Sequence, residues 1–172
     1  MEIRPLEPGD DRGGFCSEAS EYDSFFVRYA AQNQFRHFIG TTYVAVEDGV
    51  VLGYVTVAAG SIEADDLPDD LRGRMPRYPL PILRLARVAV DRSARHQGIG
   101  SALVRFVFRV ALDMKESVGC IEVVVDSLAE RVSFYESLGF MTLEVVSGRS
   151  EIRPHPVSMF LPVRDIEAAL EG

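Results

Sequence analysis

Two cysteines and three histidines are all that this 172-residue chain offers to a soft metal. Cys16 and Cys120 lie far apart in the chain and fit no zinc-ligand spacing, so a zinc ribbon is excluded. A reducing compartment favours two free, buried thiols over a disulfide. His37, His96 and His155 are just as scattered, and no metal is expected. No apolar stretch approaches the roughly 20 residues that a membrane span needs, so no membrane association is expected. The opening MEIRPLEPGDDRGG is charged and lacks the apolar centre of a secretory signal. These absences lead to the expectation of a cytoplasmic protein. Its length is natural for one domain over residues 1–172, and with 47% hydrophobic residues it can build a real core.

A net charge of −8 argues against a general nucleic-acid binder, but the charge is unevenly spread. Residues 72–109 hold nine arginines against one acid, Asp91, for a local charge of +8; the remainder carries −16. Just upstream, SIEADDLPDDL (61–71) holds five acids. Most charge runs are merely solvated faces. This one also contains a glycine loop, which makes a polyanionic ligand plausible.

The pattern of elements predicts a mixed α+β sheet. EIRPL reads as a strand. Residues 17–37 read as a helix, with Ser20 or Asp23 as cap. Residues 41–63 read as two strands around the turn EDG. Four prolines within 66–81 predict a loop with at most a short helical turn. PILRLARVAV (81–90) reads as a strand and 101–119 as an apolar helix closed by Gly119. A buried strand at 120–127 and a short helix ending at Gly139 follow. Strands at 140–146 and about 157–163 and a last helical turn at 164–170 complete the chain. Strands and helices alternate only in the second half, which points to a mixed α+β sheet rather than a purely parallel one.

Between strand 81–90 and the next helix lies RHQGIG (95–100). Gly98 and Gly100 permit close approach to the backbone, and the first amides of a helix have no helical acceptor. They carry the positive end of the helix dipole and suit an anion; Arg92, Arg95 and His96 can add charge or contacts. An ordinary tight turn is the competing reading. A Walker loop is excluded because no lysine follows either glycine. A Rossmann fingerprint fails because position 103 is Leu.

A wider pattern fits better. LARVAVDRSARHQGIGSALV, followed by FYESLGF, resembles the GCN5-related N-acetyltransferase (GNAT) family. The resemblance implies a central, mixed, mostly antiparallel twisted sheet of six to seven strands, with about four flanking helices. It implies acetyl-CoA as co-substrate. The diphosphate would be held by backbone amides across Gln97, Gly98, Ile99, Gly100, Ser101 and Ala102, with Arg95 and His96 alongside. The edge of Val88, Ala89 and Val90 would pair with the pantetheine. YAAQNQ, RMPRYPLPILRLARVAVDRS and MFLPV further resemble the GNAT branch that acts as toxins on aminoacyl-tRNA. Phe15-Cys16-Ser17 and Asp23-Ser24-Phe25 match that branch in part. The branch implies tRNA as acceptor and an antitoxin as partner, and dimers are common in the family.

Acetyl transfer from a thioester needs a neutral amine, a donor for the oxyanion and a proton for the departing thiolate. The resemblance assigns Tyr135 as general acid, and a phenol of pKa about 10 can protonate a forming thiolate. The competing reading makes Tyr135 a core aromatic beside Phe134, which is itself assigned to the core. An amide near Val88 is the expected oxyanion donor. No carboxylate stands in Arg84-Leu85-Ala86-Arg87 to serve as base. Asp126 and Glu122 are the candidates, both more often solvent-facing, and Arg87 is a substrate-side candidate. Arg72, Arg74 and Arg77 are nucleic-acid contacts if tRNA is the acceptor. An α-amine of pKa about 7.7 loses its proton more readily than a lysine of about 10.4, which suits a site without a visible base. The main expectation is acetylation of a primary amine. The alternatives are acetylation of charged tRNA or a non-catalytic module that binds coenzyme A or a partner.

Overall fold

β-branched and aromatic residues build the first strands; burial alternates over 41–44 and is continuous over 53–57. The computed structural model describes residues 1–143 and 156–172. Its strands are β1 (Glu2–Pro5), β2 (Thr41–Glu47), β3 (Val50–Ile62), β4 (Leu80–Val90), β5 (Glu122–Ser127), β6 (Met141–Thr142) and β7 (Val157–Pro162). They form one sheet in the order β1-β2-β3-β4-β5-β7-β6. The β1/β2, β2/β3, β5/β7 and β6/β7 pairs are antiparallel. The helices are α1 (Ser20–Arg28), α2 (Ala30–Gln32), α3 (Asp69–Arg72), α4 (Ile99–Ser117), α5 (Val132–Ser137) and α6 (Ile166–Glu171). The mixed α+β sheet is as expected; six helices are described, where about four were expected.

The chain divides into two compact units, Met1–Ala58 with Leu85–Arg109, and Ala59–Arg84 with Val110–Gly172. In the first, an aromatic cluster forms the core. Tyr54 stacks on Phe26 at 4.4 Å between centroids, and Phe15 meets both rings edge-on. The Tyr54 hydroxyl donates to the Tyr22 carbonyl at 2.7 Å, so the buried ring keeps its polar end satisfied. In the second unit, Ile82, Val124 and Phe160 form one cluster and Ala64, Leu67, Leu71 and Leu80 another.

Several local expectations are corrected. The helix expected over 17–37 is interrupted: α1 and α2 are followed by a π-helical turn, Asn33–His37. Tertiary bonding accounts for the break. From that turn the Gln34 amide donates to the Leu6 carbonyl at 3.2 Å and accepts from the Thr42 amide at 2.8 Å, tying α2 to the sheet. Neither Ser20 nor Asp23 caps α1; its N-cap is Ala19, with no side-chain cap. Asp23 instead accepts from the Ser17 amide and hydroxyl, the latter at 2.6 Å. Cys120 is buried but Cys16 is exposed, because the Cys16 backbone is the part used internally. The apolar helix begins at Ile99, which puts Gly100 within its first turn. The strand expected over 140–146 is described only at Met141–Thr142, and residues 144–155, including His155, lie outside the described residues.

Candidate active site

The glycine loop is built from the only acid in the arginine-rich segment. Asp91 follows β4 and caps the turn Arg92–Ala94, accepting from the Ser93 amide at 3.0 Å and the Ser93 hydroxyl at 2.7 Å. Its other oxygen accepts from the Cys16 amide at 2.9 Å. In return the Arg92 amide donates to the Cys16 carbonyl, and the Asp91 amide donates to the Leu52 carbonyl at 2.8 Å. Burial pushes the Asp91 carboxyl up, but the Cys16 and Ser93 donors outweigh it and hold its pKa below the ordinary value. A segment some 75 residues away thus clamps the start of the loop.

Beyond Ala94, which is buried, the chain turns through His96 (φ 62°) and Gly98 (φ 75°). Only glycine occupies the second conformation without strain. The first internal helical bond of α4 runs from the Ala102 amide to the Gly98 carbonyl at 3.0 Å. The amides of Gly98, Ile99, Gly100 and Ser101 therefore precede any helical acceptor. Ala102, expected to offer its amide to the anion, spends that amide within the helix. Buried Ile99, Leu103 and Val104 anchor the first turns. Gly53 allows β3 to come close, since a Cβ there would stand 3.0 Å from the Ala89 carbonyl oxygen and 3.1 Å from Ile99 and Leu103. Arg95 is paired with Glu18 at 2.7 Å. Val88 and Ala89 are buried in β4, and Val90 is half-buried.

One residue before Val88, the Arg87 guanidinium lies 3.8 Å over the Phe25 ring. Arg87 and Phe25 line a recess of about 350 Å³ with Ser20, Glu21, Ser24 and Tyr29. The first unit thus brings together the loop, the Val88–Val90 stretch and Arg87.

Tyr135 and Asp126 belong to the second unit. Tyr135 is 3% exposed and meets Phe134 and Phe140 edge-on at 5.0 and 5.4 Å. The motif has a local cause: Gly139 (φ 100°) reverses the chain after α5, and the Phe140 amide then donates to the Tyr135 carbonyl at 3.1 Å. Phe134, assigned to the core, is only half-buried; Tyr135 is the deeper ring. Asp126 is half-exposed and accepts from the Ser158 hydroxyl at 2.9 Å and from Arg84 at 3.4 Å. Glu122 is the reverse case, 4% exposed, its carboxyl pushed up to about 7 by burial. It stands four residues before Asp126, about 13 Å along the strand.

Arg74 and Arg77 are exposed, as is Arg72, which pairs with Asp69 at 3.3 Å. His37 contacts Gln32 at 3.0 Å on the surface. No group of metal-ligating side chains exists among the described residues, and none of their helices is long and apolar enough to cross a membrane. Sequence reasoning missed Asp91, Glu18 and Ser17. An acid two residues before a serine at a strand end was a readable capping signal; the Glu18 and Ser17 contacts carried none.

The strand order, the loop and the Phe-Tyr turn describe an acyl-CoA N-acyltransferase. The acetyltransferase (GNAT) domain model matches residues 39–142, and the chain belongs to that family. It is 29% identical to the tRNA-acetylating toxin of Mycobacterium tuberculosis (strain ATCC 25618 / H37Rv), over 97% of this chain and 95% of the toxin. Among solved structures it resembles AtaT complexed with acetyl-methionyl-tRNAfMet, with a TM-score of 0.82, 26% identity and 97% coverage of both chains. It also resembles a mutant AtaT toxin bound to acetyl-CoA and the C-terminus of the antitoxin AtaR, with a TM-score of 0.77, 25% identity and coverage of 99% and 98%.

Proposed function

We propose that this acetyltransferase moves the acetyl group of acetyl-CoA to the α-amino group of an aminoacyl-tRNA. The observation that carries the reading is the end-to-end likeness to a tRNA-acetylating toxin, which takes in nearly the whole of both chains. It replaces a generic primary amine as the preferred acceptor.

In this reading the amides of Gly98 to Ser101 receive the coenzyme diphosphate, helped by the positive end of the 19-residue α4. The Asp91 clamp fixes the loop, so little ordering is left for binding to cost. Val88, Ala89 and Val90 run along the pantetheine, and an amide near Val88 stabilises the oxyanion. The neutral amine attacks the thioester carbonyl. Collapse of the tetrahedral intermediate breaks the carbon–sulfur bond, and Tyr135 gives its phenolic proton to the leaving thiolate. The proton lost by the amine restores the phenol through solvent, and the products are an amide and free coenzyme A. An α-amine of pKa about 7.7 is partly neutral at physiological pH, so no strong base is needed. Asp126, already paired with Arg84, serves in positioning. The recess at Arg87 and Phe25 receives the aminoacyl group, and Arg72, Arg74 and Arg77 meet phosphates. A protein antitoxin and a second copy of the chain are the expected partners, and residues 1–172 act as one acetyltransferase domain.

A translation extract supplied with acetyl-CoA tests the acceptor. Added protein should halt peptide synthesis, and omission of acetyl-CoA should restore it. Undisturbed synthesis with active thiol release toward other amines would remove tRNA as acceptor.

A further inference from the structure

The second unit contains a cleft that the proposed reaction does not use. It measures about 380 Å³, within the range of small-molecule sites, which begins near 300 Å³. Leu71, Met75, Leu112, Ile121 and Val163 make its walls apolar. Glu122, only 4% exposed, lines it as well. Among the described residues, no hydrogen bond or ion pair reaches its carboxyl oxygens, and burial alone pushes its pKa to about 7. The other titratable groups facing the cleft are Cys120, Lys115 on α4, Arg164, and Glu167 on α6. Both cations are paired with other acids, Lys115 with Glu116 at 3.2 Å and Arg164 with Asp70 at 3.8 Å and Asp165 at 4.0 Å. The Cys120 thiol points to the Glu122 carbonyl at 3.5 Å.

A carboxylate largely withdrawn from water, without a donor and reached only through the cleft, is costly, and a cation that hydrogen-bonds to it there lowers that cost. An anion would worsen it, and a neutral apolar ligand would leave it in place. We infer that this cleft binds a small organic cation, an ammonium or guanidinium head on an apolar body, with the head on Glu122 and the body between Leu71, Met75 and Leu112. The site is independent of the acetyl acceptor proposed above, because its test needs no acetyl-CoA.

The probe is 2-phenylethylamine, with 2-phenylethanol as neutral isostere, titrated calorimetrically into the full chain. The Met75 methyl resonance reports location. The amine should bind at least about tenfold more tightly than the alcohol at pH 8 and shift the Met75 signal. With a pKa near 7 the ionised fraction of Glu122 rises about tenfold from pH 6 to pH 8, and amine affinity should rise in proportion. Glu122→Gln should reduce the amine to the alcohol's affinity and abolish the pH dependence. Leu71→Trp, which fills the cleft and keeps the carboxyl, should block the amine and guards against misfolding of the first variant. Equal binding of amine and alcohol, undiminished binding to Glu122→Gln, or an unmoved Met75 signal would overturn the site.

Discussion

Two carboxylates, one in each unit, show how the same group is put to different use. Asp91 receives donors from Cys16 and from both the amide and hydroxyl of Ser93, and its pKa falls. Glu122 is more deeply buried, receives no side-chain donor among the described residues, and its pKa rises to about 7. Burial pushes both upward; the count of donors decides the outcome. A satisfied carboxylate holds a loop in place. An unsatisfied one remains able to change charge near neutral pH. On the proposed function, the glycine-loop region governs binding, whereas the β5–α5 region carries the groups that answer to chemistry and pH.

The largest effect expected from that division is on Tyr135. Tyr135→Phe keeps the ring that packs on Phe134 and Phe140 but removes the proton, so turnover should fall about 100-fold or more. Acetyl-CoA affinity, assigned in the proposal to the glycine loop, should change little. A steady-state assay beside equilibrium binding separates the two, and unchanged turnover would strip Tyr135 of its role.

Next comes the pH dependence of stability. Glu122 has a folded pKa above its unfolded value, so the native state holds the proton more firmly. Stability should fall as pH rises from about 4.5 to 7, by on the order of 3 kcal/mol, and then level off. Glu122→Gln should flatten that slope and melt higher than the parent at pH 8. Parallel urea titrations at pH 5 and pH 8 measure both. A slope that survives the substitution would show that Glu122 is not the buried acid responsible.

Asp91 has the opposite sign. Its folded pKa is lowered, so its contribution is present above the unfolded value near 3.9 and is lost as pH falls through the folded one. Asp91→Asn should cost about 1–3 kcal/mol at pH 7, weaken acetyl-CoA binding, and converge with the parent in acid. Equal stability at neutral pH would break the comparison between the two carboxylates. The smallest effect is at Gly98, where alanine at φ 75° should cost about 1 kcal/mol. A Cβ there meets no protein atom within 4 Å, so the cost in stability is backbone strain alone, which a urea titration measures.

Much of this was legible in the chain. The strand, the RHQGIG loop and the apolar helix follow from local pattern, and Gly139 explains the Phe-Tyr turn through backbone conformation alone. What the chain hid was set by distance. Nothing near Cys16 announces its bond to Asp91, and nothing near Gln34 announces that it joins Leu6 to Thr42. Those tertiary bonds break the expected long helix and leave the Cys16 thiol outside. Glu122 in CIEVVVDS reads as a solvent-facing strand acid, yet it is buried beside a cleft that residues of α3, α4 and α6 also line, which no strand periodicity reveals.

The most direct trial of the central assignment mixes charged tRNA with acetyl-labelled coenzyme A and compares the parent with Tyr135→Phe. Label should appear on the tRNA with the parent, leave as an N-acetyl amino acid on mild alkaline hydrolysis, and be nearly absent with the variant. Thiol release without labelled tRNA, or equal labelling by both proteins, would contradict it.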